Sequence, residues 1–146
     1  LIDLNISAFI PETYIEDVMI RMSLYRRISS LKTEKNIEEL GAELRDRFGQ
    51  APQEVSSLLA VMRLKLVARE LMTLKIQMVQ ERVRVSFSPD TPVQPEMIFN
   101  LHAAWKGRMK FLPDGFEIDM KKRDADTMFA ELYTAVDTLR QGLPAA

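Results

Sequence analysis

Three acidic side chains, Glu39, Glu43 and Asp46, have the spacing in this sequence that points most clearly to chemistry. Positions four and then three residues apart lie on one face of an α-helix, so the three carboxylates, here called the acidic ridge, line up. Carboxylates in such an arrangement accept paired hydrogen bonds from arginine guanidinium groups. The spacing indicates a surface for a basic protein partner. An ordinary solvated helix face, partly neutralised by Arg45 and Arg47, remains the simpler interpretation of the spacing alone.

Catalytic, metal and cofactor chemistry has few candidate residues. The chain has no cysteine, and its single histidine, His102, has no second imidazole or thiolate with which to ligate a metal. No phosphate-binding loop of the GxGxxG or GxxxxGK[ST] type occurs. We therefore predict no catalytic, metal-binding or cofactor-binding residue. A hydrolytic enzyme built on carboxylates is a weaker alternative, which a strongly perturbed carboxylate pair in a deep pocket would favour.

The basic segment, residues 63–123, is a second candidate surface. It carries 12 basic and 7 acidic side chains, whereas residues 1–62 carry 7 and 10 and residues 124–146 carry 1 and 4. Because Lys and Arg neutralise phosphates, the alternative function is a nucleic-acid-binding module. No stacking aromatic motif is interleaved with these cations, which favours a solvated surface. The candidate cations are Arg63, Lys65, Arg69, Lys75, Arg82, Arg84, Lys106, Arg108, Lys110, Lys121, Lys122 and Arg123.

Length and composition restrict the class of protein. With 146 residues, 47% of them hydrophobic, the chain has the size and apolar content of a single domain, residues 1–146. A net charge of -1 gives no global attraction to DNA or anionic lipid. The absence of cysteine, of a secretory signal and of an apolar run near ~20 residues predicts a cytoplasmic protein without membrane contact. The first residues, Leu1-Ile2-Asp3, already read as a strand, and this suggests an excised piece of a longer protein.

Hydrophobic periodicity assigns the acidic ridge to the second of three helices. Alternating apolar residues predict a first strand over residues 2–8. Thr13 and Glu16 have capping-box spacing for a first helix, whose predicted apolar stripe is Ile15, Val18, Met19, Met22, Tyr25 and Ile28. The second helix runs from an N-cap at Thr33 to a stop at Gly49, and a third begins at Pro52. The buried stripe of the second helix is Ile37, Leu40, Leu44 and Phe48.

The second half of the chain changes to strand periodicity. It predicts a hairpin over residues 75–87 and a helix from Pro95 to a stop at Gly107. A second hairpin turns at Pro113-Asp114-Gly115, and Asp124 caps a last helix. The predicted fold class is α+β, with a helical layer from the N-terminal half packed on a small, mostly antiparallel sheet.

Several motifs in the first half together resemble one known family. They are Ile10-Pro11-Glu12-Thr13-Tyr14-Ile15-Glu16-Asp17, then Arg21 with Tyr25-Arg26-Arg27-Ile28, then Glu43-Leu44-Arg45-Asp46-Arg47-Phe48-Gly49-Gln50-Ala51-Pro52, then Leu58-Leu59 and Leu64-Lys65. In this order and spacing they are similar to the C-terminal domain of bacterial transcription-repair coupling factors (Mfd). The resemblance covers residues 1 to about 75, and beyond that it rests on the arrangement of the predicted elements.

The resemblance implies a regulatory domain that autoinhibits a large ATP-driven DNA translocase, which removes stalled RNA polymerase at DNA damage and recruits nucleotide excision repair. This piece would not hold the motor, so ATP is expected in the parent protein only. The domain would pack on the UvrB-like N-terminal module of the same protein and mask the surface that binds UvrA. RNA polymerase and DNA would be bound by the rest of the parent.

Two residues of the acidic ridge also match the family pattern. The acidic positions of its ELxDRFG motif, which would meet arginines of the UvrB-like module, correspond to Glu43 and Asp46. Glu39 joins them only by its position on the helix. The resemblance and the helical spacing therefore agree on the same face of the second helix.

Overall fold

A computed structural model describes residues 1–144, and the predicted α+β class is confirmed. Its elements are β1 (Ile2–Asp3), α1 (Val18–Ser30), α2 (Glu34–Phe48), α3 (Gln53–Glu70), β2 (Thr73–Val79), β3 (Arg82–Phe87), α4 (Pro95–Ala104), β4 (Met109–Leu112), β5 (Gly115–Asp119) and α5 (Ala125–Gln141). The chain divides into two compact units. The helical unit is residues 6–66, and the sheet unit is residues 1–5 together with the described residues from Val67 onward. That residues 1–146 form a single domain stays a prediction.

The helical unit is held together by apolar side chains from its N-terminal loop and all three of its helices. Burial of each such side chain stabilises the fold by roughly 1.5–3 kcal/mol. The two largest wholly buried members, Leu40 and Leu44, lie one turn apart on α2 and fix the face that this helix turns inward. The core comprises Ile10, Ile15, Leu24, Ile28, Leu40, Leu44 and Val55.

The start of α1 differs from the prediction. The helix begins at Val18, and its N-cap is Asp17, whose carboxylate accepts hydrogen bonds from the amides of Met19 and Ile20 at 2.8 and 3.3 Å. The predicted cap at Thr13 is wrong because the residues after Pro11 close a separate turn. In that turn the amides of Tyr14 and Ile15 both donate to the Pro11 carbonyl.

The predicted apolar stripe of α1 is also largely wrong. Val18, Met19, Met22 and Tyr25 are exposed, Met19 by 64%. The buried residues of the helix are Leu24, which the prediction omitted, and Ile28. Two apolar stripes run along this helix at helical spacing, and periodicity alone does not select the one that packs.

The sheet unit has the strand order β1-β2-β3-β5-β4. All neighbouring strands pair antiparallel except β1, which is parallel to β2. Both predicted hairpins and the helices that begin at Pro95 and after Asp124 are confirmed. The helix from Pro95 ends at Ala104, with Trp105 as its C-cap, and so stops before the predicted Gly107.

The apolar side chains of the central strands stand at alternate positions and are buried, as the period of a strand requires. Ser86 and Glu117 between them are buried as well, so both faces of β3 and β5 are largely covered. One face of α5 is also buried. The largest buried side chains of this unit are Leu71, Ile76, Val83, Phe116, Ile118, Leu132 and Leu139.

The first strand is shorter than predicted. Only Ile2 and Asp3 pair with β2, opposite Ile76 and Gln77, instead of the whole of residues 2–8. Asn5 has a φ of 55°, which leaves the extended conformation and ends the pairing. Leu4 and Ile10 are nevertheless buried, and more buried residues still alternate with exposed ones between them after the strand has ended.

Candidate protein-interaction site

The acidic ridge lies on α2, whose two ends are fixed as predicted. The Thr33 side chain accepts a hydrogen bond from the Asn36 amide at 3.1 Å and so caps the N-terminus. At the other end Gly49 has a φ of 88°, and its amide donates to the Arg45 carbonyl at 3.0 Å. With its ψ of -173° this is a positive-φ, extended conformation that essentially only glycine adopts. These caps fix where α2 begins and ends, and the buried Leu40 and Leu44 fix which of its faces is turned to solvent.

Tyr14 anchors the C-terminal end of the same helix. Its hydroxyl is within hydrogen-bonding distance of the carbonyl oxygens of Leu44 and Gly49, at 3.1 and 2.8 Å. Its ring meets Phe48 edge to face with 6.0 Å between centroids. Burial raises the pKa of the Tyr14 hydroxyl, and the nearby Arg45 charge acts in the opposite direction. Tyr14 is thus the packing residue that the sequence predicts, and its single hydroxyl proton is also shared between two carbonyl oxygens near a helix end.

Glu39 and Asp46 are the two accessible carboxylates of the ridge. Both are exposed, as helical spacing predicts for residues opposite the buried Ile37, Leu40 and Leu44. Neither makes an ion pair with any residue in the part of the chain that the structure describes. Asp46 lies in the last turn of α2, where the helix dipole disfavours negative charge. These two carboxylates are therefore available to a cationic partner.

Glu43, the central carboxylate, is already occupied. The Arg27 guanidinium of α1 donates to both of its oxygens, at 2.6 and 3.0 Å, and Arg47 approaches one oxygen at 3.4 Å. The hydrogen bonds from Arg27, together with those from Arg47, hold the pKa of the Glu43 carboxyl below its usual range. The pair is at the surface, since 35% of the Glu43 side chain and 44% of the Arg27 side chain are exposed. The ridge therefore combines two open carboxylates with one that binds an internal arginine.

Sequence reasoning found Arg47 but missed the role of Arg27. Arg47 is four residues after Glu43 on the same helix, and the spacing predicts their contact. Arg27 precedes Glu43 by sixteen residues on another helix, and no local pattern indicates that the two meet. The Arg47 guanidinium also lies over the Phe48 ring at 4.8 Å from its centroid.

Four arginines of the basic segment, Arg82, Arg84, Arg108 and Arg123, have carboxylate partners. On the sheet, Arg84 and Arg82 contact Glu117 at 2.9 and 3.7 Å, and the Glu117 side chain is only 6% exposed. Strand register sets these contacts, because Arg84 and Glu117 are directly opposite on β3 and β5. Such pairing leaves less uncompensated charge for phosphate binding than the sequence count implies.

A second carboxylate neutralises two more of these arginines. Arg108 and Arg123 both bind Glu131 of α5. Burial alone would raise the pKa of Glu131, but the hydrogen bonds from the two arginines outweigh it and the pKa is lowered. The cations of the segment whose side chains stay exposed include Lys75, Lys110, Lys121 and Lys122.

Residues 1–144 contain neither a metal-ligand cluster nor a helix that could span a membrane. No group of three His, Cys, Asp or Glu side chains there is arranged to hold a metal ion. The His102 ring stacks on Phe111 with 4.8 Å between centroids. Glu117, a buried carboxylate, has the arginines Arg82 and Arg84 beside it. Every helix in this range falls short of the length and apolar character needed to cross a bilayer.

Comparison with known proteins identifies relatives of this chain. A family model described as the TRCF domain matches residues 4–98. The transcription-repair-coupling factor of Escherichia coli (strain K12) is 33% identical over 121 residues, which are 77% of this chain and 10% of that protein. The factor of Bacillus subtilis (strain 168) is 36% identical over 93 residues, 64% of this chain and 8% of that protein. The chain thus spans about a tenth of the length of these relatives.

A solved structure shares the fold. The crystal structure of the C-terminal domain of a transcription-repair coupling factor superposes with a TM-score of 0.83 and 21% identity, covering 97% of this chain and 91% of that one. The resemblance found in the sequence motifs is therefore confirmed. Because the family model covers well over half of its length, the chain belongs to the transcription-repair coupling factor (TRCF) domain family.

Proposed function

We propose that this chain is a regulatory protein-interaction domain that docks its acidic ridge on a basic surface of the UvrB-like N-terminal module of the same parent protein. Docking there masks the surface that binds UvrA and so autoinhibits the parent. The observation that carries the proposal is the exposure of Glu39 and Asp46 on a well-capped helix, without an ion pair among residues 1–144. Carboxylates presented in this way are suited to arginine forks of a partner.

Local stability does not account for this arrangement. Asp46 is in the last turn of α2, where a negative charge is unfavourable by a few tenths of a kcal/mol to about 1 kcal/mol. Arg45 and Arg47 occupy the same turn, but Arg47 is directed to Glu43 and to the Phe48 ring. A cationic partner would supply the compensation that the helix itself does not give to Asp46.

The parent protein in this proposal is an ATP-dependent DNA translocase that removes stalled RNA polymerase at DNA damage and recruits nucleotide excision repair. Support comes from family membership and from relatives that carry the name transcription-repair-coupling factor. ATP, DNA and RNA polymerase are bound by other parts of the parent, and this domain acts in the cytoplasm as a non-enzymatic regulator. Masking needs modest energy, because ~5.5 kcal/mol of differential stability already moves a two-state population from 1:99 to 99:1.

Binding in trans tests the proposal. Residues 1–146 are titrated into the separately expressed UvrB-like module by calorimetry at two salt concentrations, as wild type and as the Glu39→Arg/Asp46→Arg variant. We expect saturable wild-type binding that weakens with salt, and about tenfold or greater loss of affinity in the variant, because like charges then face each other.

The matched control is Glu38→Arg. Glu38 is an exposed carboxylate of the same helix, about 100° away from Glu39 around the helix axis. Its reversal changes the net charge by the same amount per residue but leaves the ridge intact, so we expect affinity close to wild type. Equal effects of all the variants, or no saturable binding by the wild type, would contradict the proposal.

A further inference from the structure

The contact between Arg27 and Glu43 has the two-pronged geometry expected between a docking surface and its partner, although both residues belong to this chain. Arg27 presents two nitrogens to the two Glu43 oxygens, at 2.6 and 3.0 Å. This is the bidentate arrangement with which arginine recognises carboxylates in other molecules. Arg47 approaches one of the same oxygens at 3.4 Å, so the bidentate position on Glu43 is already taken by an arginine of this chain.

We infer that Arg27 is an internal competitor for the partner's arginine, and that docking proceeds by exchange of one guanidinium for another on Glu43. The inference rests on the proposed function, because it assumes that the acidic ridge is the docking surface. Before docking, Arg27 keeps the Glu43 carboxylate compensated. On docking, a partner arginine takes this place, and the Arg27 side chain is released to solvent.

Exchange is feasible because the internal pair is exposed. Arg27 is 44% and Glu43 is 35% exposed, and pairs of this kind contribute little net stability. Arg27 is also in the last turn of α1, where its cation stays favourable beside the helix C-terminus after it leaves Glu43. Glu39 and Asp46, which have no such competitor within residues 1–144, make the first contact with the partner.

An alanine substitution of Arg27 tests the exchange. In the calorimetric assay above, Arg27→Ala frees Glu43 for the partner, and we expect affinity for the UvrB-like module to rise about two- to fivefold, the equilibrium equivalent of one exposed ion pair. If Arg27 instead helps to present the ridge, its loss lowers affinity. The two roles thus predict opposite signs.

Arg26→Ala is the control for net charge. Arg26 is adjacent on α1, is exposed, and has no side-chain ion pair among residues 1–144. Removing it makes the domain more acidic by the same single charge. A rise in affinity that is equal in both variants would show only general electrostatic attraction and would overturn the exchange.

A double-mutant cycle gives an independent readout. In a Glu43→Ala background there is no carboxylate to compete for, so Arg27→Ala should have the same effect as Arg26→Ala. The exchange would be overturned if Arg27→Ala still raised affinity more than Arg26→Ala in the Glu43→Ala background. It would also be overturned if Arg27→Ala bound more weakly than wild type. Either result would leave the docking surface in place. Absence of saturable wild-type binding would instead overturn the proposed function, and the exchange with it. Circular dichroism and thermal unfolding verify that each variant is folded.

Discussion

The Tyr14 hydroxyl lies 2.8 Å from the main-chain oxygen of Gly49 and so connects the turn before α1 to the residue that ends α2. The same hydroxyl is 3.1 Å from the Leu44 carbonyl. Both acceptors lie near the C-terminal end of the helix that carries Asp46. The position of the ridge therefore depends on a residue outside α2.

Substitution of Tyr14 by phenylalanine should destabilise the chain by about 0.5–1.5 kcal/mol. The variant keeps the ring that meets Phe48 and removes only the hydroxyl, so carbonyls at the end of α2 lose their donor. Urea denaturation followed by circular dichroism measures the change. A urea midpoint identical to that of wild type would contradict this prediction, because water would then replace the hydroxyl at the carbonyl oxygens without loss of stability.

The Arg27–Glu43 pair predicts a small stability contribution that depends on pH. Because the hydrogen bonds from Arg27 lower the pKa of Glu43 in the folded chain below its ordinary value, the stabilisation is complete above that ordinary value and is lost as the pH falls through the folded pKa. At neutral pH, Glu43→Gln should be less stable than wild type by under about 1 kcal/mol, since the pair is exposed and screened. At a pH below the folded pKa of Glu43 the difference should vanish.

Urea midpoints at both pH values, with and without added salt, test this dependence. Glu39→Gln is the matched control, because Glu39 has no ion pair among residues 1–144 and should leave stability unchanged. A difference between wild type and Glu43→Gln that grows as the pH falls would be the wrong sign for a salt bridge.

The bounds of α2 and the outward face of the ridge could be predicted because both depend on local rules. Thr33 and Gly49 have the residue types that the two helix ends require, and side chains three or four positions apart share a face. The fold class followed from the change of periodicity near Lys75. These features need no knowledge of what packs on the helix.

The features that sequence reasoning missed depend on tertiary structure. The burial of Leu24 instead of Met22 is decided by what α1 packs against, since both stripes are apolar. The contact of Arg27 with Glu43 and that of Arg84 with Glu117 join separate elements. Charge counts along the sequence therefore overstated both the open acidic charge at Glu43 and the free positive charge of the basic segment.

Replacement by alanine should destabilise the chain at Gly115 and at Gly49, but to different extents and for different physical reasons. A Cβ at Gly115 would lie 1.8 Å from the Val85 carbonyl oxygen, a backbone atom of the neighbouring strand. Gly115→Ala should therefore cost about 2–4 kcal/mol by forcing β3 and β5 apart. At Gly49 there is open space, and the cost comes only from the φ of 88°.

Gly49→Ala is the comparison variant, and we expect a loss of about 1–2 kcal/mol. Thermal or urea unfolding of both variants measures the difference. If Gly49→Ala were the more destabilising of the two, backbone strain at the end of α2 would outweigh the overlap in the sheet, contrary to this prediction.

Neutralising arginines of the sheet should affect stability more than DNA binding. Arg84→Ala removes the closer of two partners of Glu117, whose side chain is only 6% exposed, and Arg82 remains at 3.7 Å. We expect a loss of about 1–3 kcal/mol from leaving the buried carboxylate less well compensated. Lys121→Ala removes the same charge from an exposed side chain and should change stability by less than about 0.5 kcal/mol.

DNA affinity of the same variants discriminates between the two functions. A nucleic-acid-binding module would use Arg82, Arg84, Lys121 and Lys122 as phosphate contacts, and each loss would lower the salt slope by about one. Since Glu117 already holds Arg82 and Arg84, we expect fluorescence anisotropy to give weak binding with a slope that Arg84→Ala leaves unchanged. A clear fall in DNA affinity and slope for Arg84→Ala, with stability intact, would establish the sheet as a phosphate-binding surface and would favour the nucleic-acid module over docking by the acidic ridge.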